Sequence, residues 1–207
     1  MPWVYSNYGL PGLDLDKAYN QARDRRGNIG GVMLGTAIYI IIFAVVAILI
    51  FASTRPDCFQ VQRKIIIKAP PERIFTFIND LYQWKLWSPW ENKDPAMKRT
   101  FSSVTAGKDA VYEWEGNSNV GKGRMEISES SPPTRLTIKL EFIKPFAAYN
   151  IVEFMLVPNG DMTEVIWDMH GPMPFISKLM GVFISMDRMV GKDFETGLRS
   201  LKAQAEK

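Results

Sequence analysis

The sequence predicts an α+β protein: a seven-stranded, curved antiparallel sheet around a long carboxy-terminal helix, preceded by one transmembrane helix. Three observations carry this. Gly27 to Thr54 contains no charged residue, and Val32 to Ala52 is apolar almost throughout. Between Lys98 and His170, six short runs of alternating polarity are separated by turn residues. From Pro174 to about Ala205, apolar side chains recur at spacings of three and four.

The apolar run comes first. About 20 such residues, rising about 1.5 Å each, match a hydrocarbon core of roughly 30 Å. A buried core helix would need a larger protein around it, and a cleaved signal would have a shorter apolar core behind a short basic head. An uncleaved span over 29–53 is expected, touching the membrane through residues 32–52. Arg23, Arg25 and Arg26 precede it and Arg55 follows closely, which favours a cytoplasmic amino terminus with the carboxy-terminal domain on the opposite side. Gly31 and Gly35 form a G-x-x-x-G that could pair two spans into a homodimer. Residues 1–28 read as a polar, mostly unstructured tail.

Composition removes several functions. The 207 residues carry 25 Lys and Arg against 22 Asp and Glu, a net charge of +3, so no basic field points to nucleic acid. Cys58 is the only cysteine and cannot form an internal disulfide, while His170 is the only histidine and cannot build a multi-histidine metal site. No cofactor and no metal are expected.

The remaining chain, 59–207, reads as one domain. FQVQRKIIIKA (59–69) suits a strand, and Pro70-Pro71-Glu72 opens a short helix with Ile74, Phe75 and Ile78 inward. NDLYQWKLWSPWENKDP (79–95) packs Trp84, Trp87 and Trp90 into seven residues, broken by Ser88-Pro89. Six strands follow, with turns at Ala106–Asp109, Gly116–Asn119, Ser131–Pro133 and Pro158–Asp161. With the first they make an antiparallel meander. The last segment, bearing Ile176, Leu179, Met180, Phe183, Met186, Val190, Phe194, Leu198 and Leu201, reads as one amphipathic helix of about 45 Å.

A bent sheet and one long helix need not fill the space between them, so a cavity is expected. Strand parity places Tyr112 with Trp114, Met125 with Gly123, Phe142 with Leu140, and Trp167 with Met169 on inward faces. The same parity puts Glu164, Asp168 and His170 on a face toward water. Trp87, Trp90, Tyr112, Trp114, Met125, Phe142, Trp167, Met169, Phe183, Met186 and Val190 are the candidate lining. For the three tryptophans, packing of loop on helix and contact of Trp87 or Trp90 with a ligand both remain open. Eleven methionines, several near the last helix, suit either core filling or an adaptable lining.

These elements together resemble a known family. PPERIFTFINDLYQWKLWSPW, the strands containing GKGRMEI and TEVIWDM, and the closing MDRMVGKDFETGLRSL are similar to the SRPBCC or START-like superfamily, in particular its polyketide cyclase/dehydrase-like members. The resemblance covers 59–207 and implies the helix-grip fold, with a hydrophobic small molecule or lipid in the central cavity. The leading expectation is a membrane-anchored binder with no catalytic residue. The alternatives are a cyclase or dehydratase using Tyr112 or Glu153, and an interaction module that binds no ligand. Gly121-Lys122-Gly123 lacks phosphate-loop spacing, so its glycines are expected to serve sheet curvature or close approach to the helix.

Overall fold

The computed structural model describes residues 15–182 and 185–207. They fall into two units, one ending at Phe51 and one running from Ala52 to Lys207. The first unit is built on helix α1, Leu15–Ser53. Its stretch Met33–Ser53 is long and apolar enough to cross a membrane, and Ile40, Ile41 and Phe43 are exposed, unlike the side chains of a core helix. Residues 15–28, expected as unstructured tail, are helical instead. Asp16 sits in the first turn and Ala18, Gln21 and Arg23 favour helix, so they extend a helix that the apolar run already nucleates. Residues 1–14 of the expected tail lie outside the described residues.

The second unit contains one antiparallel sheet of β1 (Cys58–Ile67), β2 (Lys98–Phe101), β3 (Val111–Glu115), β4 (Lys122–Ser131), β5 (Arg135–Lys144), β6 (Ala148–Asn159) and β7 (Met162–Pro172). The order is β1-β7-β6-β5-β4-β3-β2. Strands β2 to β7 form the expected meander, but β1 joins it at the far edge, with Cys58 opposite Pro172 and Ile67 opposite Thr163. The chain between β1 and β2 must therefore cross the inner face. It does so through α2 (Pro71–Asn79), a 3-10 helix (Leu81–Leu86) and α3 (Pro89–Lys93). Register shifts in β4, between Lys122 and Gly123 and between Ile127 and Glu129, raise the local twist and bend the sheet. A Cβ at Gly123 would lie 2.3 Å from the Trp114 indole, so this glycine admits a neighbouring tryptophan and not the terminal helix.

The predicted terminal helix is two helices, α4 (Phe175–Gly181) and α5 (Met186–Ala205). Ser185 makes the break. Its Oγ accepts a hydrogen bond from the Arg188 N–H at 3.1 Å, and Asp187 sits in the new first turn. Apolar spacing continues across this cap, which is why periodicity alone suggested one helix. Ile176 and Met180, expected inward, are exposed on α4.

Two contacts set the height of α5 above the sheet. Toward its carboxy end, Phe194 stacks on Trp167 at 4.1 Å and 9°, and Leu198, Leu201 and Ala205 are buried beyond it. Toward its amino end, Arg63 of β1 bonds Asp187 at 2.7 Å and Glu195 at 2.9 Å, and a Cβ on Gly191 would meet the guanidinium at 2.2 Å. A Cβ on Gly197 would lie 2.8 Å from the Trp167 ring and 3.0 Å from Pro89. Gly197→Leu should therefore overpack the clamp and cost about 1–3 kcal/mol, whereas Thr196→Ala on the exposed face should cost less than about 0.5 kcal/mol. Thermal unfolding of the full chain in detergent, followed by tryptophan fluorescence, checks both.

Candidate functional site

The tryptophan-rich segment folds from its own polar residues. Asp80 caps the 3-10 helix by accepting from the Tyr82 N–H at 3.0 Å, and Pro89 opens α3 in its first turn. The Trp84 and Trp87 indole N–H groups donate to the carbonyls of Ile78 and Phe77, each at 3.0 Å. Both rings are buried against Phe154 and Trp167. Trp90 points the other way, edge-on to Trp167 at 5.9 Å and to Phe194 at 6.3 Å. Trp87 is packing alone, whereas Trp84 and Trp90 also border the pocket described next.

Beneath the amino-terminal half of α5 lies a pocket of about 380 Å³. Nine of the predicted residues form its wall: Trp90, Tyr112, Trp114, Met125, Phe142, Trp167, Met169, Met186 and Val190. Trp87 does not, because Trp84 and Trp167 stand beside it and its indole is spent on Phe77. Phe183 lies outside the described residues. Among the wall residues that sequence reasoning missed are Trp84, Met97, Leu140, Val152, Phe194 and Glu91. Leu140 and Phe194 shared faces already assigned inward and could have been found by parity and helical spacing. Glu91 could not, since α3 is too short to show a period.

The wall is mostly apolar, with two ion pairs at it, Glu91 with Arg99 and Lys93 with Asp193. Glu91 Oε2 accepts from Arg99 Nε at 2.9 Å and Nη2 at 2.6 Å, and Glu91 Oε1 accepts from the Tyr112 hydroxyl at 3.2 Å. Burial pushes the Tyr112 phenol above its ordinary pKa, and the Glu91 charge pushes the same way, so the hydroxyl keeps its proton at neutral pH. Lys93 and Asp193 pair at 2.6 Å at the edge of the pocket, beside Ser118 and Asn119. The Trp114 N–H donates to the Val120 carbonyl at 2.9 Å, while the buried Trp167 N–H has no partner among the described residues.

The outer face of the sheet differs from expectation. Asp168, placed toward water by parity, is buried: Gln60 donates to its Oδ1 at 2.6 Å, and His170 Nδ1 lies 3.0 Å from Oδ2. Long side chains on β1 cover a position that alternation alone calls exposed. Glu153 stands opposite Asp168 on this same outer face and is bonded by Arg135, so it cannot act in the pocket. Glu153, Asp168 and His170 each place one ligand-type atom within 4.8 Å of the others. Asp168 is engaged by Gln60, Gln62 and His170, and Glu153 by Arg135, all on the face of the sheet away from the pocket.

Comparison with known proteins fits this geometry. The family model described as polyketide cyclase/dehydrase and lipid transport matches residues 59–206. Protein CV1439 from Chromobacterium violaceum superposes with a TM-score of 0.52 at 16% identity, covering 74% of this chain and 99% of that one. A Thermobifida fusca protein solved by NMR gives 0.54 at 16%, covering 70% and 92%. The Aha1 dimer from Colwellia psychrerythraea gives 0.50 at 18%, covering 72% and 96%. At such identities these neighbours show the fold alone. No curated protein matches the sequence significantly.

Tyr112 supplies a pH test. Its folded-state pKa is raised, so its contribution to stability is full below the unfolded value of about 10 and is lost as pH climbs through the folded value. The stability difference between wild type and Tyr112→Phe should be constant from pH 7 to 9 and shrink above about pH 10, in paired thermal melts.

Proposed function

We propose that this chain, which belongs to the polyketide cyclase/dehydrase and lipid transport family, holds a lipid or similar amphipathic small molecule beneath α5 while α1 anchors it to a membrane. The observation that carries the reading is the pocket, about 380 Å³ and walled mainly by aromatic, methionine and aliphatic side chains, with a few charged groups that are already paired. Ligand sites for small molecules fall in the range of about 300–1,000 Å³ and combine apolar walls with a few fixed polar groups. The apolar body of the guest lies along Leu140, Val152 and Val190, and its polar end meets the Tyr112 hydroxyl and Glu91. Methionines on three sides, Met125, Met169 and Met186, adapt to varied shapes. An apolar ligand partitions into the bilayer, so a pocket tethered beside it samples a high local concentration. The arginines before the span favour a cytoplasmic amino terminus, with the pocket on the other side.

A second reading has one observation in its favour. The Tyr112 hydroxyl and the Glu91 carboxylate stand 3.2 Å apart in the wall of one pocket, a hydroxyl beside a candidate base, which is the pair of groups that cyclisation or dehydration draws on.

Mass spectrometry of solvent extracts from full chain purified in mild detergent should find a co-purifying amphipathic molecule. Val190→Trp, which fills the pocket, should lower its occupancy about tenfold or more, as expected when a wall residue is replaced by one too large for the guest, with little change in melting temperature. Absence of any guest, with no uptake of an apolar fluorescent probe, would contradict the carrier reading. Tyr112→Phe separates the alternatives, because a carrier keeps most of its ligand and has no turnover to lose, whereas an enzyme keeps binding and loses conversion.

A further inference from the structure

The end of the domain that receives the span carries an apolar surface that the pocket does not use. Helix α4 is tied to the linker that follows α1: buried Lys178 Nζ bonds Asp57 Oδ1 at 2.5 Å, and the Met173 N–H donates to the Asp57 carbonyl at 2.7 Å. The Asp57 carboxyl is held below its ordinary pKa by that lysine. With its one lysine turned inward, α4 presents Phe175, Ile176 and Met180 outward, Ile176 being 63% exposed. The strand registers bring the β5–β6 hairpin to the same end of the sheet, because Cys58 pairs with Pro172, Ile151 with His170 and Phe142 with Ala148. That hairpin carries Phe146, which is 71% exposed. Exposed aromatic and aliphatic side chains grouped at one end of a domain mark a docking surface.

The chain itself says what covers this surface. Only Thr54 to Asp57 separate the last residue of the candidate span, Ser53, from the start of β1 at Cys58. Four residues reach at most about 14 Å, so the anchor point of α4 stays within that distance of the end of the span whatever direction the linker takes. A phospholipid surface is the one apolar partner certain to lie there if α1 crosses a bilayer. The pocket wall also reaches this end of the fold through Gly121, Pro145, Met186 and Met189.

We infer that this end of the domain lies on the bilayer, with Phe146, Phe175 and Ile176 inserted at the depth of the headgroups and upper acyl chains, so that the pocket exchanges its guest with lipid directly. The inference rests on the membrane-anchored part of the proposed function and goes beyond it, since an anchor alone would leave the domain free in water. Interfacial binding of this kind buries apolar side chains about 5–10 Å into the headgroup and acyl boundary.

The test uses the full chain in phosphatidylcholine vesicles, with Cys58→Ser and one new cysteine carrying an environment-sensitive fluorophore. At Ile176→Cys the emission should be blue-shifted and quenched about twofold or more by a phospholipid bearing a spin label high on its acyl chain, as a side chain at that depth requires. At Met162→Cys, in the hairpin at the opposite end of the sheet, it should be neither. Phe175→Ser with Phe146→Ser should reduce quenching at position 176. Alkaline carbonate washing is done in parallel. Chain retained in the vesicles with position 176 unquenched overturns the docking while leaving the anchor standing. A blue shift without quenching overturns it in favour of a protein partner or a second copy, and chain released by carbonate overturns both.

Discussion

The architecture depends on two unlike contacts that hold α5 over the sheet. At one end Trp167 and Phe194 lie ring on ring at 4.1 Å, and Gly197 lets the helix backbone come down beside them. At the other end the long Arg63 side chain stands between β1 and Gly191, fixed by Asp187 and Glu195. Aromatic stacking closes one half, while a charged prop keeps the other from collapsing onto the sheet. The pocket is the space that this difference leaves. The bulges in β4 bend the sheet, and a space remains between it and α5.

The same layout separates two kinds of polar chemistry. On the outer face, Gln60 and His170 engage Asp168 while Arg135 engages Glu153, and none of these side chains enters the pocket. On the inner face, Glu91 is neutralised by Arg99 and shared with Tyr112, but the Tyr112 ring and Glu91 also form part of the pocket wall. A half-buried carboxylate with a paired guanidinium costs less than a lone charge and still leaves acceptor capacity. This gives a mostly apolar space a fixed polar group within its wall, as an amphipathic guest needs.

Much of this was legible in the sequence, for physical reasons that also mark its limits. Strands have a period of two, so Tyr112, Trp114, Met125, Phe142, Trp167 and Met169 could be assigned inward from alternation alone. The helix over Met33–Ser53 and the family resemblance were equally plain. Three features were not. A cap at Ser185 interrupts the terminal helix without interrupting its apolar spacing, since Ile176 and Met180 fit the period yet face outward on a separate helix. Alternation says which face Asp168 occupies but not that Gln60 and Gln62 lie over it. In the segment from Leu81 to Lys93 two short helices meet at a proline, and no period exists to tell Trp87 from Trp90; their directions follow only from the carbonyl of Phe77 and the edge of Phe194.

The central claim is that α5 and the sheet fail to interlock over the amino-terminal half of the helix. Crystals of the full chain equilibrated with xenon or a brominated long-chain alcohol test it most directly, because the heavy atom reports occupancy by anomalous scattering. The account predicts a site between Leu140, Val190 and Trp167, displaced in Val190→Trp. Val190 and Met186 found packed against Leu140 and Met169, with no heavy atom between them, would contradict it.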